Sequence, residues 1–88
     1  MEIEFDPTKS AANEAKHGIS LAAAESLEWE TAVVVEDDRL PYGESRKLCT
    51  GYIGKRLYVV VFVDRDDVRR IISLRKANDR EVKRYAET

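Results

Sequence analysis

Cysteine, histidine, proline and glycine are all scarce in this 88-residue chain, which has one Cys, one His, two Pro and four Gly. The lone Cys49 cannot form an internal disulfide, and with one histidine the chain lacks the ligands of a structural zinc site. A disulfide scaffold and a zinc finger are therefore excluded. Gly18, Gly43, Gly51 and Gly54 never form G-x-G-x-x-G or a Walker pattern, which argues against nucleotide-driven chemistry. The longest apolar run, Leu57 to Val63, is seven residues, far below the roughly 20 of a membrane-spanning helix. The carboxylates Glu36-Asp37-Asp38 and Asp64, Asp66, Asp67 miss the EF-hand spacing. No metal, no cofactor and no membrane contact are expected. The opening residues are acidic where an export signal would be basic, so the expected location is the cytoplasm.

What is present suffices for one small core, with 43% hydrophobic and 36% charged residues, and residues 1–88 are expected to form a single domain. The net charge of −2 hides a polarised chain. Residues 1–44 carry 3 Lys/Arg against 11 Asp/Glu, or −8, whereas residues 45–88 carry 12 against 6, or +6. Opposite-signed halves suit charged partner surfaces.

Glu2 to Phe5 alternates polar and apolar and predicts a short strand. Asp6-Pro7 supplies a helix cap and a proline at the first helical position, and Gly18 the matching stop, so a helix over Pro7–His17 follows. On that helix Thr8, Ala11, Ala12 and Ala15 fall on one side, expected to pack closely, and Lys9, Asn13, Lys16 and His17 cluster on the other. Ser20 caps a second short helix from Leu21 to about Glu28. Strands are predicted over Thr31–Glu36, Ser45–Ile53, Arg56–Val63 and Val68–Leu74, with a loop from Asp37 to Gly43 and hairpin turns at Gly54 and Asp64–Asp67. Leu57 to Val63 is apolar on both faces, as in a central strand. Asn78, Val82 and Tyr85 mark a closing amphipathic helix over about Ala77–Glu87. The expected architecture is α+β, with two N-terminal helices and a C-terminal helix around an antiparallel sheet of about four strands.

Two clusters offer chemistry. Lys9, Asn13, Lys16 and His17 gather two ammonium groups, an amide and the only imidazole, which is first choice for proton transfer near neutrality. Lys16 and His17 in the last turn would also simply offset the helix dipole. The series Arg69, Arg70, Arg75, Lys76, Arg80, Lys83 and Arg84, with Asp79 and Glu81, carries +5 in sixteen residues. Strand alternation would put Arg69, Ile71, Ser73 and Arg75 on one face, with forked guanidiniums suited to phosphate. The alternative is a solvated surface ion-paired with the acidic first half. Arg65 either joins this cluster or neutralises its neighbours. Tyr42, Tyr52, Tyr58, Tyr85 and Trp29 could stack on bases, although strand and helix aromatics more commonly belong to the core.

The pattern Phe5-Asp6-x-x-Lys9-x-x-x-Asn13-x-x-Lys16-His17-Gly18-Ile19-Ser20, then Gly43-Glu44-x-Arg46, Ile53-Gly54, Ile71-Ile72-Ser73-x-Arg75-x-Ala77 and Glu81-x-x-x-Tyr85, resembles the BrnT toxin family of bacterial type II toxin–antitoxin systems. Leu21 stands where an aromatic residue would be expected. The resemblance implies a RelE-like fold and a metal-independent ribonuclease that inhibits translation and growth. It further implies neutralisation by a BrnA-like ribbon-helix-helix antitoxin, two toxins per antitoxin dimer, with operator DNA met only through the antitoxin. On this reading Arg65 and Arg75 bind the phosphoryl oxygens, His17 moves a proton, and Ser73 or Asn13 orients the scissile group. Lys9, Asn13, Lys16, Arg46 and Lys76 hold RNA. The alternative is a non-catalytic antitoxin-binding module that acts as co-repressor.

Overall fold

The computed structural model describes residues 1–39, 41 and 43–88. Leu40 and Tyr42, in the expected loop and among the candidate stacking aromatics, lie outside the described residues. The order is β1 (Glu2–Glu4), α1 (Pro7–His17), a 3₁₀ helix (Leu21–Ser26), a 3₁₀ turn (Trp29–Thr31), β2 (Val33–Asp37), β3 (Arg46–Ile53), β4 (Arg56–Arg65), β5 (Val68–Lys76) and α2 (Asp79–Ala86). The expected second α-helix is thus a 3₁₀ helix, and the expected sheet of about four strands has five, ordered β1-β5-β4-β3-β2. The four C-terminal strands are antiparallel, while β1 pairs with β5 in parallel. A parallel partner needs a long crossover, which α1 and the strands after it supply.

Both ends of α1 match their local signals. Asp6 accepts from Thr8 N, Pro7 opens the helix, and Gly18 closes it at φ 76 with its N–H bonded to Glu14 O. The buried side is the reverse of the expected one. Ala11, Ala12 and Ala15 are exposed, and Ser10 and Asn13 are buried. Hydrogen bonds account for this, because polar groups can enter a core when every one finds a partner. Ser10 Oγ accepts from Leu21 N and pairs with Ser20 Oγ, and Asn13 bonds to Ile19 and Leu74.

The sheet separates two apolar layers. On the N-terminal face Leu21, Ala24 and Leu27 pack with Cys49, Val60, Phe62, Ile71 and Leu74. The Leu, Val, Ile and Phe side chains among them contribute about 1.5–3 kcal/mol each when fully buried. Trp29 meets Phe62 edge-on at 5.5 Å and donates from Nε1 to Ala24 O. Arg69 lies over both rings, 4.8 Å and 4.1 Å from their centres. On the other face α2 lays Tyr85 against Tyr52 and a cluster of Leu57, Val59 and Ala77. Tyr85 also donates its hydroxyl to Thr31 O. Trp29, Tyr52, Tyr58 and Tyr85 are therefore packing residues. Val82, placed on the apolar stripe by periodicity, is instead 46% exposed.

Candidate active site

The site is shaped by one irregularity in β5. Val61 is opposite Ser73 and Phe62 is opposite Ile71, which leaves Ile72 as an extra, unpaired residue. Such a β-bulge interrupts the alternation of side chains. Before it, Arg69 and Ile71 belong to the N-terminal face, where Arg69 covers Trp29 and Ile71 is buried. After it, Leu74 takes over the N-terminal face, and Ser73 and Arg75 share the α2 face with Val61 and Val59. The expectation that Arg69, Ile71, Ser73 and Arg75 form one face is corrected by this bulge.

Arg75 is held firmly. Its Nη1 and Nη2 each donate to a carboxylate oxygen of Glu81 at 2.8 Å, and Nη1 also reaches Lys76 O. Glu81 is the third residue of α2 and accepts the N–H of Asn78, while Asn78 Oδ1 accepts that of Glu81. This reciprocal cap fixes the start of α2 and the direction of the guanidinium together. The guanidinium holds Glu81 below the ordinary carboxylate range, and Glu81 in turn raises Arg75. The site thus presents a permanent cation with a fully ionised carboxylate beside it, and Ser73 two residues away on the same face.

Beside Glu81, between α2 and strands β2 and β3, runs a groove of about 290 Å³ lined by Val33, Val35, Leu48 and Tyr85 on its apolar part and by Glu81 and Arg84 on its polar part. Asp37 and Arg39 form a bidentate pair at 2.6 and 2.7 Å, and the charge of Arg39 is felt at Arg75. Sequence reasoning counts Glu81 and Arg84 in the basic series without a role, and it does not place Arg39 at the site at all. The signal available for Glu81 was Asn78-x-x-Glu81, a capping box directly after the strand that carries Arg75.

The remaining candidates divide. Arg46 extends from β3 opposite Asp37, and by alternation it shares the α2 face with Leu48. Arg65 ends β4 and is paired with Glu44 at 2.9 Å. Six residues separate Arg65 from Val59, the partner of Arg75, so the two arginines stand roughly 20 Å apart along the strand. They do not flank one phosphate. Lys9, Lys16 and His17 belong to α1, which is tied to the 3₁₀ helix and to the edge of β5 at Leu74. Lys9 and Lys16 are exposed and His17 is half-buried. Lys76, exposed at the end of β5, points by alternation to the N-terminal face with its partner Tyr58. No hydrogen bond or ion pair joins His17 to Arg75. Asn13 is corrected from an RNA contact to a buried clamp, since its amide nitrogen donates to two carbonyls and its oxygen accepts from Leu74 N.

The expected ion-pairing between halves is realised in part. Arg70 pairs with Glu4, Lys47 with Glu36 and Arg65 with Glu44. No group of three or more metal-ligating side chains occurs among the described residues, and no described helix is long and apolar enough to cross a membrane.

Compared with known proteins, residues 5–81 match the family model described as ribonuclease toxin, BrnT, of type II toxin–antitoxin system. No curated relative matches the chain. The match covers both sides of the sheet, from the Asp6 cap to Glu81 beside Arg75. The chain therefore belongs to the BrnT family of ribonuclease toxins, whose type II systems pair each toxin with an antitoxin.

Proposed function

We propose that this protein is a metal-independent endoribonuclease toxin whose phosphate-holding centre is Arg75 on the α2 face, with Ser73 beside it. The observation that carries the reading is the forked pairing of Arg75 with Glu81, which holds a guanidinium in a fixed direction on the α2 face. Cleavage without a metal needs removal of the 2′-hydroxyl proton, charge stabilisation on the pentacoordinate phosphorus, and a proton for the departing 5′-oxygen. Fixed donors directed at the developing charge supply the largest share of such catalysis. A guanidinium fork fits two non-bridging oxygens, so incoming phosphate competes with Glu81 for Arg75. Ser73 donates to the scissile group. His17 is the proposed proton carrier, reached around the edge of β5 that α1 caps, with Lys9, Lys16 and Lys76 adding positive potential there. Arg46 and Arg65 are the proposed contacts for RNA further along the α2 face.

The chain is read as one RelE-like domain over residues 1–88, which the antiparallel β2–β5 sheet and the C-terminal helix support. Its proposed partner is a BrnA-like ribbon-helix-helix antitoxin, two toxins to each antitoxin dimer, with operator DNA bound through the antitoxin and a cytoplasmic location. A second reading is favoured by one feature. Arg65, Arg70 and Arg75 are each paired with a carboxylate, as suits a binding module that acts as co-repressor. Incubating free protein with RNA in EDTA separates the two. Fragments that disappear in Arg75→Ala and His17→Ala and on addition of antitoxin support the enzyme, and RNA left intact by the wild-type protein supports the module.

A further inference from the structure

The basic series near the C-terminus is divided by the fold into two kinds of cation. Arg69, Arg70 and Arg75 each hold a carboxylate, Asp64, Glu4 and Glu81 respectively. Arg80, Lys83 and Arg84 are exposed, and no ion pair engages any of them among the described residues. At 100° per residue these three fall within about 100° of one another on α2, with Arg84 next to Glu81 and the group turned away from Tyr85, which faces the sheet. Lys83 and Arg84 in the last turn also offset the helix dipole. That explanation fails for Arg80, the second residue of the helix, where the dipole opposes a cation. Arg80 therefore stands in solvent at a position the helix dipole does not favour.

The position of the patch indicates what it meets. Arg84 lines an outer hollow together with Arg80, Lys83 and a single carboxylate, Glu87, and it also lines the groove beside Glu81. At the other end of α2, Lys55 and Arg56 of the β3–β4 turn border a hollow shared with Asp79 and Val82. A line of unpaired cations therefore runs over one end of the molecule and meets the groove next to Arg75.

We propose that the outer face of α2, through Arg80, Lys83 and Arg84, docks the phosphate backbone of single-stranded RNA and leads it past Arg84 toward Ser73 and Arg75. The proposal rests on the ribonuclease reading for its direction. The docking itself is an electrostatic property of the helix. Unpaired cations gain the full release of counterions from a polyanion, about 0.7 in the logarithmic salt slope per phosphate for a single strand. Arginines already paired must first give up a carboxylate and gain less.

The test is the affinity of the full-length protein for an uncleavable 2′-O-methyl oligonucleotide, measured by fluorescence anisotropy over a salt series, with RNA cleavage by the wild-type protein measured in parallel. The triple variant Arg80→Gln/Lys83→Gln/Arg84→Gln is expected to lower the slope by about 2 and to weaken binding on the order of 100-fold at 0.1 M salt. The single variant Arg80→Gln is expected to lower the slope by about 0.7 while raising the melting temperature, opposite signs that a folding defect cannot produce. An unchanged slope in the triple variant overturns the proposal. So does a slope change seen only for duplex operator DNA in the antitoxin complex, which would assign the face to repression. Wild-type protein that binds as expected yet never cuts RNA refutes the ribonuclease reading and leaves the docking face standing.

Discussion

Asn13 pairs with Leu74 as a neighbouring strand would. Its Nδ2 donates to Leu74 O at 2.8 Å, and Leu74 N donates to its Oδ1 at 3.2 Å. Strand β1 covers β5 only as far as Arg70, so beyond that point the carboxamide satisfies an edge that no strand reaches. A third bond, to Ile19 O at 2.8 Å, fastens the segment that follows the helix. Asn13→Ala would leave these backbone groups without partners in a buried place. A loss of about 2–4 kcal/mol is expected, read from urea unfolding. Asn13→Asp should be no better, because a carboxylate cannot donate to the two carbonyls. A cost below 0.5 kcal/mol would remove the clamp from the account.

Replacing Arg75 distinguishes a charge from a fork. Arg75→Ala is expected to reduce RNA cleavage by about 10²–10³, the usual consequence of losing a donor to the developing charge. Arg75→Lys keeps the charge but loses the two-point geometry and should recover only a small part. Single-turnover cleavage rates decide this, and full activity in the lysine variant would show that geometry at Arg75 is irrelevant.

Acid should weaken the tie between β5 and α2. Arg75 lowers the pKa of Glu81 in the folded protein, so the pair's contribution is complete above the unfolded carboxylate value of about 4.3 and is lost as the pH falls through the folded value. Glu81→Gln keeps an acceptor for Asn78 N but removes the charge. It is expected to cost about 1 kcal/mol at neutral pH and progressively less toward pH 3. Melting temperatures of both proteins across that range test this. A gap that stays constant with pH would place the contribution elsewhere.

Cys49 should be chemically silent until the protein opens. Burial pushes its thiol up to about 11, and the residue is fully enclosed in the core. Alkylation at pH 8 is expected to follow the rate of unfolding rather than that of a free thiol. Labelling in native buffer as fast as in urea would contradict this.

Much of the outline was readable from local signals. Asp6, Pro7 and Gly18 bound α1 at both ends, and the continuous apolar run through Val63 marked the middle of the sheet. The misreadings have a common cause in tertiary partners. Periodicity assigned the alanines of α1 to the interior, because it scores a side chain without knowing that Ser10 and Asn13 will meet backbone groups of Leu21 and Leu74. Alternation put Arg69 and Arg75 on one face, because a bulge depends on the pairing of β5 with β4 rather than on either strand alone. Of the candidate site, Arg75 was recognisable from its place near the strand exit. Its partner Glu81 was seen only as a nearby charge, since the bond between them depends on how α2 turns back over the sheet.

Ile72 gives β5 two different assignments along its length. Upstream of it the odd-numbered positions belong to the face of Trp29 and Phe62, and downstream they belong to the face covered by α2. A chain shortened by that one residue would regain a regular ladder with Phe62 still opposite Ile71 and Val61 still opposite Ser73, so both arginines would keep their faces. With Ile72 kept and a regular ladder imposed, either the guanidinium now clasped by α2 would turn to the other face or Arg69 would leave its aromatic seat. The bulge is thus what lets this strand carry Ile72 and still present Arg69 to the aromatic rings on one face and Arg75 to α2 on the other.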